Sequence, residues 1–390
     1  MPLGLALGDS LVVVQVALSV LLVSGAVLFG RTLQNLHGVE PGFARDGLTL
    51  FTLEVPSGYD LERRITLYRQ LQDALATAPG VRSASFSAFG LLGGSGWSEA
   101  LDVGGYTPPQ GEVAASRALL VGPGFVETIG TPVLSGTDLP PDRIRVALIN
   151  ETMARRFFAG RNPIGGSFRI RGWNGEPFEI VGVVADTKYR TLREQTDAIF
   201  YVPFAARPML LSDVMFEVRT EGSASRMATI IERVVRETDP RAIATDVKTV
   251  SDLLGNSLLQ ERLVANVAGA LGIVALILAS IGVYGVRAQA VTRRISEIGV
   301  RLALGARRGD VFWMIHRRST ALLGLGLAIG IPLSAASSRT LESLLFGIEP
   351  ADPVSIAGTA LILTAVGTLA GLLPARRATK VDPATALRCE

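Results

Sequence analysis

The most informative segment of this sequence is Arg293–Ala306, which reads Arg-Arg-Ile-Ser-Glu-Ile-Gly-Val-Arg-Leu-Ala-Leu-Gly-Ala. At helical spacing Ile295, Ile298 and Leu302 share one face. Glu297 and Arg301 stand four residues apart, an ion pair worth roughly 0.2–0.5 kcal/mol. Gly305 suits a C-terminal stop. The chemistry open to such a short amphipathic helix is recognition rather than bond-making. It either lies on anionic lipid, which favours arginine flanks around an apolar face, or fits that face into the groove of a soluble partner. Composition leaves both readings standing.

Elsewhere the search for catalytic chemistry returns negatives. Gly93-Gly94-Ser95-Gly96 resembles a phosphate loop, but no Gly-Lys-Ser/Thr follows it, and a flexible connector is the better reading. The sequence contains no GxxxxGK[ST], HExxH or GxSxG. The single cysteine, Cys389, can form neither an intrachain disulfide nor a thiolate cage. His37 and His316 lie far apart beside apolar runs and read as juxtamembrane polar residues. Gly324-Leu325-Gly326 with Gly330 mimics a dinucleotide fingerprint, but inside an apolar run this is helix packing. No catalytic residue and no metal site is expected.

The elements that position the Arg293–Ala306 segment follow from composition. The chain has 390 residues, 48% of them hydrophobic and 19% charged, with a mean hydropathy of +0.37. These values exclude a disordered chain and place the apolar excess in membrane spans. Four runs qualify: 11–31, 263–287, 319–338 (interrupted by Pro332) and 353–375. The pI of 9.2 invites a nucleic-acid partner, but the charges are partitioned. Residues 31–263 hold 25 Lys and Arg against 27 Asp and Glu, so the whole basic excess flanks the other apolar runs. That pattern is membrane topology, and no nucleic acid is expected.

Arginines crowd the stretch 288–318 and the tail 376–390, which places both in the cytoplasm with the N-terminal residues 1–10. Residues 32–262 and the short loop 339–352 are then extracytoplasmic. One residue resists this bias. Arg31 follows the first span on the outer side, while residues 1–10 carry no Lys or Arg. A cleaved signal peptide, or a chain that starts partway into a longer protein, are the alternative explanations.

The outer domain carries a weak internal repeat. A strand at 48–55, a helix at 61–78 and a strand at 81–89 are echoed by a strand at 213–219, a helix at 223–237 and a strand at 243–250. The expectation is one α/β part, 48–89 with 213–250, split by a β-rich insertion at 90–210. The fold class is therefore a membrane protein with four α-helical spans in a one-plus-three arrangement and a large α+β extracytoplasmic domain. A helix is expected to run unbroken from Ser251 through Val286. Small residues four apart (Ala26/Gly30, Gly326/Gly330, Gly367/Gly371) permit close helix contact.

The segment Arg293–Ala306 also resembles the coupling segment of MacB/FtsX-type ABC transporter permeases. Val121–Gly130, Val146–Phe158, Asn162–Gly165, Glu179–Val184 and Ile199–Pro203 resemble the MacB-like periplasmic core domain. Leu373–Ala378 and Asp382–Arg388 resemble the close of an FtsX-like permease domain. The resemblance implies a non-catalytic permease subunit that couples ATP hydrolysis by a separate nucleotide-binding subunit to extracytoplasmic work by mechanotransmission, in efflux or in lipoprotein or peptide export. It implies that Arg293, Arg294, Glu297, Ile298, Gly299, Arg301, Leu302, Ala303, Leu304, Gly305 and Ala306 meet that ATPase. ATP and Mg would then be bound by the partner, with no cofactor in this chain. Further implied partners are a second copy or a second permease half, a periplasmic adaptor or envelope protein, and membrane lipid. The implied location is the bacterial inner membrane. Residues 3–30 also resemble the start of the second half of a duplicated permease. The alternative is a membrane-anchored scaffold of FtsX type that regulates an envelope partner without transport.

Overall fold

A computed structural model describes residues 7–93, 96–173, 175–207, 214–221, 224–292 and 308–378. The chain divides into two units: residues 39–257, and the residues up to Gly38 together with those from Leu258 onward.

The first helix, α1 (Leu7–Gly38), belongs to the other unit, and the 39–257 unit begins with β1 (Leu48–Glu54), α2 (Leu61–Ala76) and β2 (Val81–Ser87). It ends with β10 (Val214–Thr220), α5 (Ala224–Thr238), β11 (Ile243–Thr249) and α6 (Val250–Ser257). The two β-α-β units do not sit side by side. Their strands interleave in the order β11-β1-β10-β2, with β10 antiparallel to both β1 and β2. This is the split β-α-β arrangement, in which each unit leaves a gap that a strand of the other fills. Phe51 stacks on Phe216 and Phe86 packs tilted against it, all on one face of this sheet. That face shares a core with Tyr68, Leu71 and Leu75 of α2 and Ile231 and Val235 of α5. Helix α2 starts where it does because Asp60 accepts the Arg63 N–H at 2.8 Å.

Between β2 and β10 lie β3 (Trp97–Val103), β4 (Ala115–Val121), α3 (Phe125–Ile129), β5 (Val133–Gly136), β6 (Val146–Asn150), α4 (Glu151–Phe158), β7 (Ser167–Ile170), β8 (Phe178–Val184) and β9 (Ile199–Pro203). The strand order β4-β3-β7-β8-β6-β9 closes on itself, because β9 also pairs in parallel with β4. The insertion is thus a six-stranded barrel with β5 added on β8, rather than an open sheet. Closure removes the exposed edges that a short open sheet would present. One pair, Ser87 opposite Val121, joins barrel and split sheet. Asn150 anchors the barrel wall. Its side chain is fully buried, accepts the N–H groups of Met153 and Ile199 at 2.9 Å each, and donates to the Asp197 carbonyl at 2.8 Å.

The other unit consists of four long helices: α1 (Leu7–Gly38), α7 (Leu259–Thr292), α8 (Arg308–Thr340) and α9 (Pro353–Ala378). Each contains a segment long and apolar enough to cross a membrane: Gly8–Gly38, Leu259–Val286, Thr320–Thr340 and Pro353–Ala370. Two sequence expectations change here. Pro332 lies inside α8 without ending it, which membrane helices tolerate. The helix expected over Ser251–Val286 is interrupted by a turn at Leu258. Gly255, Asn256 and Ser257, all weak helix formers, precede the break. The Ser257 hydroxyl bonds back to the Leu254 carbonyl at 2.8 Å.

Candidate functional site

The residues expected to meet an ATPase, Arg293, Arg294, Glu297–Gly299 and Arg301–Ala306, lie outside the described residues. The helices that carry this segment are defined. Helix α7 continues to Thr292 and α8 begins at Arg308, so both ends of the stretch expected as a loop at 288–318 are helical.

Within the helical unit α1 is the central element. Half of its apolar window is buried, against 17%, 28% and 22% for α7, α8 and α9. Close approach depends on small residues. A Cβ placed on Gly326 would lie 2.6 Å from the Val16 side chain, and one on Gly330 would lie 2.7 Å from Val20. Both are below any real carbon–carbon contact, so the α1–α8 spacing requires glycine at these two positions. Ala26 faces Gly272 of α7, and Gly367 of α9 lies beneath Leu323. Gly30, expected to pair with Ala26 in a contact surface, has open space where its Cβ would stand.

Polar side chains on α1 reach the other helices. The Ser19 hydroxyl bonds the Gln15 carbonyl at 2.8 Å and the Ala275 carbonyl of α7 at 3.1 Å. Ser24 meets Ser334 of α8, hydroxyl to hydroxyl. By contrast Leu271, Ile273, Val274, Ile277, Leu278 and Ile281 of α7 stay exposed within this unit. Such a face suits lipid or another apolar helix.

At the end of α1 that leads into the 39–257 unit, Arg31 pairs with Asp352, and its guanidinium donates to the Ser355 hydroxyl at 2.8 Å. Asp352 also accepts the Ser355 N–H at 2.6 Å, so it caps α9 as well. Partial desolvation opposes ionisation of Asp352. The hydrogen bonds from Ser355 and Arg31, with the Arg31 charge, outweigh it and hold the carboxyl below its usual range. Asn35 donates to the Phe346 and Gly347 carbonyls at 3.2 Å each, and the Phe346 N–H reaches Thr32 at 3.4 Å.

The 39–257 unit has a polar seam on the sheet face opposite α2 and α5. Glu217 is fully buried and accepts the Ser87 hydroxyl at 2.6 Å. Burial pushes its carboxyl well above the ordinary range despite that bond. The Tyr189 hydroxyl donates to the Phe89 carbonyl at 2.5 Å. Burial raises both Tyr189 and Tyr201, the latter to about 12. A cleft of about 530 Å³ opens between α2 and the barrel, lined by Arg69, Gln72, Asp73, Leu139, Arg143 and Phe204 among others. Neither feature aligns a nucleophile with a base. Among the described residues no three His, Cys, Asp or Glu side chains gather where they would hold a metal ion. Sequence reasoning missed the Arg31–Asp352 and Glu217–Ser87 contacts, which join residues 321 and 130 positions apart. The only signal available in advance was the misplaced charge of Arg31.

Two family models match this chain. Residues 3–250 match the model of the MacB-like periplasmic core domain, and residues 269–383 match that of the FtsX-like permease C-terminal domain. A Macrolide export ATP-binding/permease protein MacB from Chlorobium luteolum is 29% identical over 311 residues, which cover 77% of this chain and 44% of that one. A MacB of the same description from Rhodospirillum rubrum is 28% identical over 254 residues, covering 63% of this chain and 38% of its own. The Bacillus subtilis ABC transporter permease YknZ, described as uncharacterized, is 26% identical over 251 residues, covering 63% and 62%. The chain thus spans less than half the length of the two MacB relatives. Among solved structures, the periplasmic region of MacB from Actinobacillus actinomycetemcomitans superposes at a TM-score of 0.38 with 15% identity, over 58% of this chain and 97% of that one.

Proposed function

We infer function from family membership: this chain belongs to the ABC transporter permeases of MacB/FtsX type, with a MacB-like periplasmic core domain joined to an FtsX-like permease domain. In our reading it is the non-catalytic half of a machine whose ATPase is a separate subunit. That subunit binds ATP and Mg, docks on Arg293–Ala306, and drives movement that the membrane helices pass to the periplasmic domain. The complex sits in a bacterial inner membrane, with the 288–318 and 376–390 stretches inside. It contains two permease copies or two different permease halves, and the exposed apolar face of α7 is available to lipid or to that second copy. Efflux, or lipoprotein or peptide export with a periplasmic adaptor or envelope protein, is the work such a machine would do.

One observation carries the proposal. A single chain places an apolar helix before, and three after, a split α/β domain with an inserted barrel. Such a layout attaches an outer domain to the membrane at both of its ends, as transmission of movement requires. The test is co-expression with the ATPase subunit encoded nearest to this chain. Glu297→Lys and Arg301→Glu should each abolish co-purification and permease-dependent ATP hydrolysis, and the double reversal should recover part of both. If association and hydrolysis survive both single reversals, the docking assignment is wrong. A stable envelope-protein complex with no ATPase partner would favour the scaffold of FtsX type instead.

A further inference from the structure

Arg31 is the residue that the charge bias of the sequence leaves unexplained. A lone arginine at the domain-side end of the first span runs against the rule that basic residues collect in the cytoplasm. The structure supplies its reason. The guanidinium is two-thirds withdrawn from solvent, the Asp352 carboxylate more so, at side-chain exposures of 33% and 16%. The pair is joined by Ser355, which is 2% exposed and offers both its hydroxyl and its N–H. Thr32 and Asn35, on the adjoining turns of α1, hold the Phe346 N–H and the Phe346 and Gly347 carbonyls. Ser338, near the end of α8, bonds the Pro350 carbonyl across the same connection. Gly347 has a φ of +64°, where a side chain is strained, and a Cβ there would come within 3.1 Å of the Asn35 amide.

Three residues of α1 thus grip the α8–α9 connection and the first turn of α9. The same helix is packed glycine-close to α8 lower down, at Gly326 and Gly330. A helix fixed at both levels has little freedom to slide or rotate against that partner. We propose that Arg31, Asp352 and Ser355 form a permanent clamp that makes α1, α8 and the start of α9 one rigid body at the outer membrane boundary, and that transmission to the periplasmic domain works against this body. Arg31 is then a positioning residue. The clamp itself is read from contacts in the chain; its role in transmission rests on the permease reading above.

A clamp and a gate make opposite predictions when the junction is locked. In a Cys389→Ser background, Asn35→Cys with Phe346→Cys places one thiol on each side of the junction in the full-length protein in nanodiscs with its ATPase subunit. Oxidative cross-linking should be efficient in the resting protein. It should fall several-fold with Arg31→Asp and return with the reversed pair Arg31→Asp/Asp352→Arg. Permease-dependent ATP hydrolysis should fall at least fivefold with Arg31→Asp, recover in the reversed pair, and be equal in the reduced and the oxidised forms of the same double-cysteine protein. Loss of hydrolysis on cross-linking would overturn the proposal, because the junction would then have to open in each cycle. Cross-linking indifferent to Arg31→Asp would overturn the clamp itself. If no ATPase subunit responds even to the unsubstituted chain, the permease reading fails together with the transmission role, while the cross-linking series still decides the clamp.

Discussion

The 39–257 unit and the helical unit solve the same packing problem with opposite materials. The first buries large aromatic rings: Phe51, Phe86 and Phe216 pack across three strands, and Phe168, Phe178 and Phe200 fill the barrel. The second has small residues at its closest contacts, Gly326, Gly330 and Gly272 against Val16, Val20 and Ala26. Solvent explains the difference. In water, burying a large ring is itself the driving force. Between lipid chains an apolar side chain gains little by leaving its neighbours, so association rests on close backbone approach and on hydrogen bonds such as Ser19 to Ala275.

That contrast can be broken from either side. Phe216→Ala removes the ring at the centre of the split sheet and should cost about 3–5 kcal/mol. The periplasmic domain should then melt or become protease-sensitive while the helices stay inserted. Limited proteolysis of intact membranes would show it, and simultaneous loss of both units would contradict their independence. Gly330→Val should do the reverse, costing about 1–3 kcal/mol by overpacking against Val20. Gly358→Val, at a site with nothing near its Cβ, is the control. Thermal unfolding in detergent should separate the two variants, and equal stability would show that α1 and α8 are not in glycine contact.

The smallest effect sharpens the picture of the polar seam. Burial raises the Glu217 carboxyl well above its ordinary value of 4.5 in the folded state, a shift that unfolding removes. Between that value and its raised folded value, the folded state binds more protons. Its stabilising contribution is therefore complete below about pH 4.5 and is lost as pH rises through the window. Glu217→Gln keeps an acceptor for Ser87 and removes the proton. The melting temperature of the unsubstituted protein should fall relative to that of Glu217→Gln as pH is raised from 4.5 toward neutral. Parallel curves would mean that burial does not raise the Glu217 carboxyl.

The periodic elements were legible because their signal is local. The helix expected over 61–78 and that found over Leu61–Ala76 rest on the same apolar spacing; the Asp60 cap that fixes its start is seen only in the structure. Less legible were features set by neighbours distant in sequence. The two β-α-β units show the same local pattern whether adjacent or interleaved, and only strand pairing selects the order β11-β1-β10-β2. Barrel closure likewise depends on β4 meeting β9, some eighty residues on. The break at Leu258 is not legible because a long apolar run favours a continuous helix, while Gly255, Asn256 and Ser257 weaken it only locally.

By itself the sequence determined that four apolar runs flank a nearly charge-neutral stretch, and that it contains no GxxxxGK[ST], HExxH or GxSxG. Hydropathy, charge and motif spacing are additive along a chain, so they need no partner to be read. The tertiary structure alone decided that α1 is the hub, that Gly326 and Gly330 are its contact points while Gly30 is not, and that Arg31 belongs to Asp352. An ion pair has meaning only once both charges have a place, and these two stand 321 residues apart.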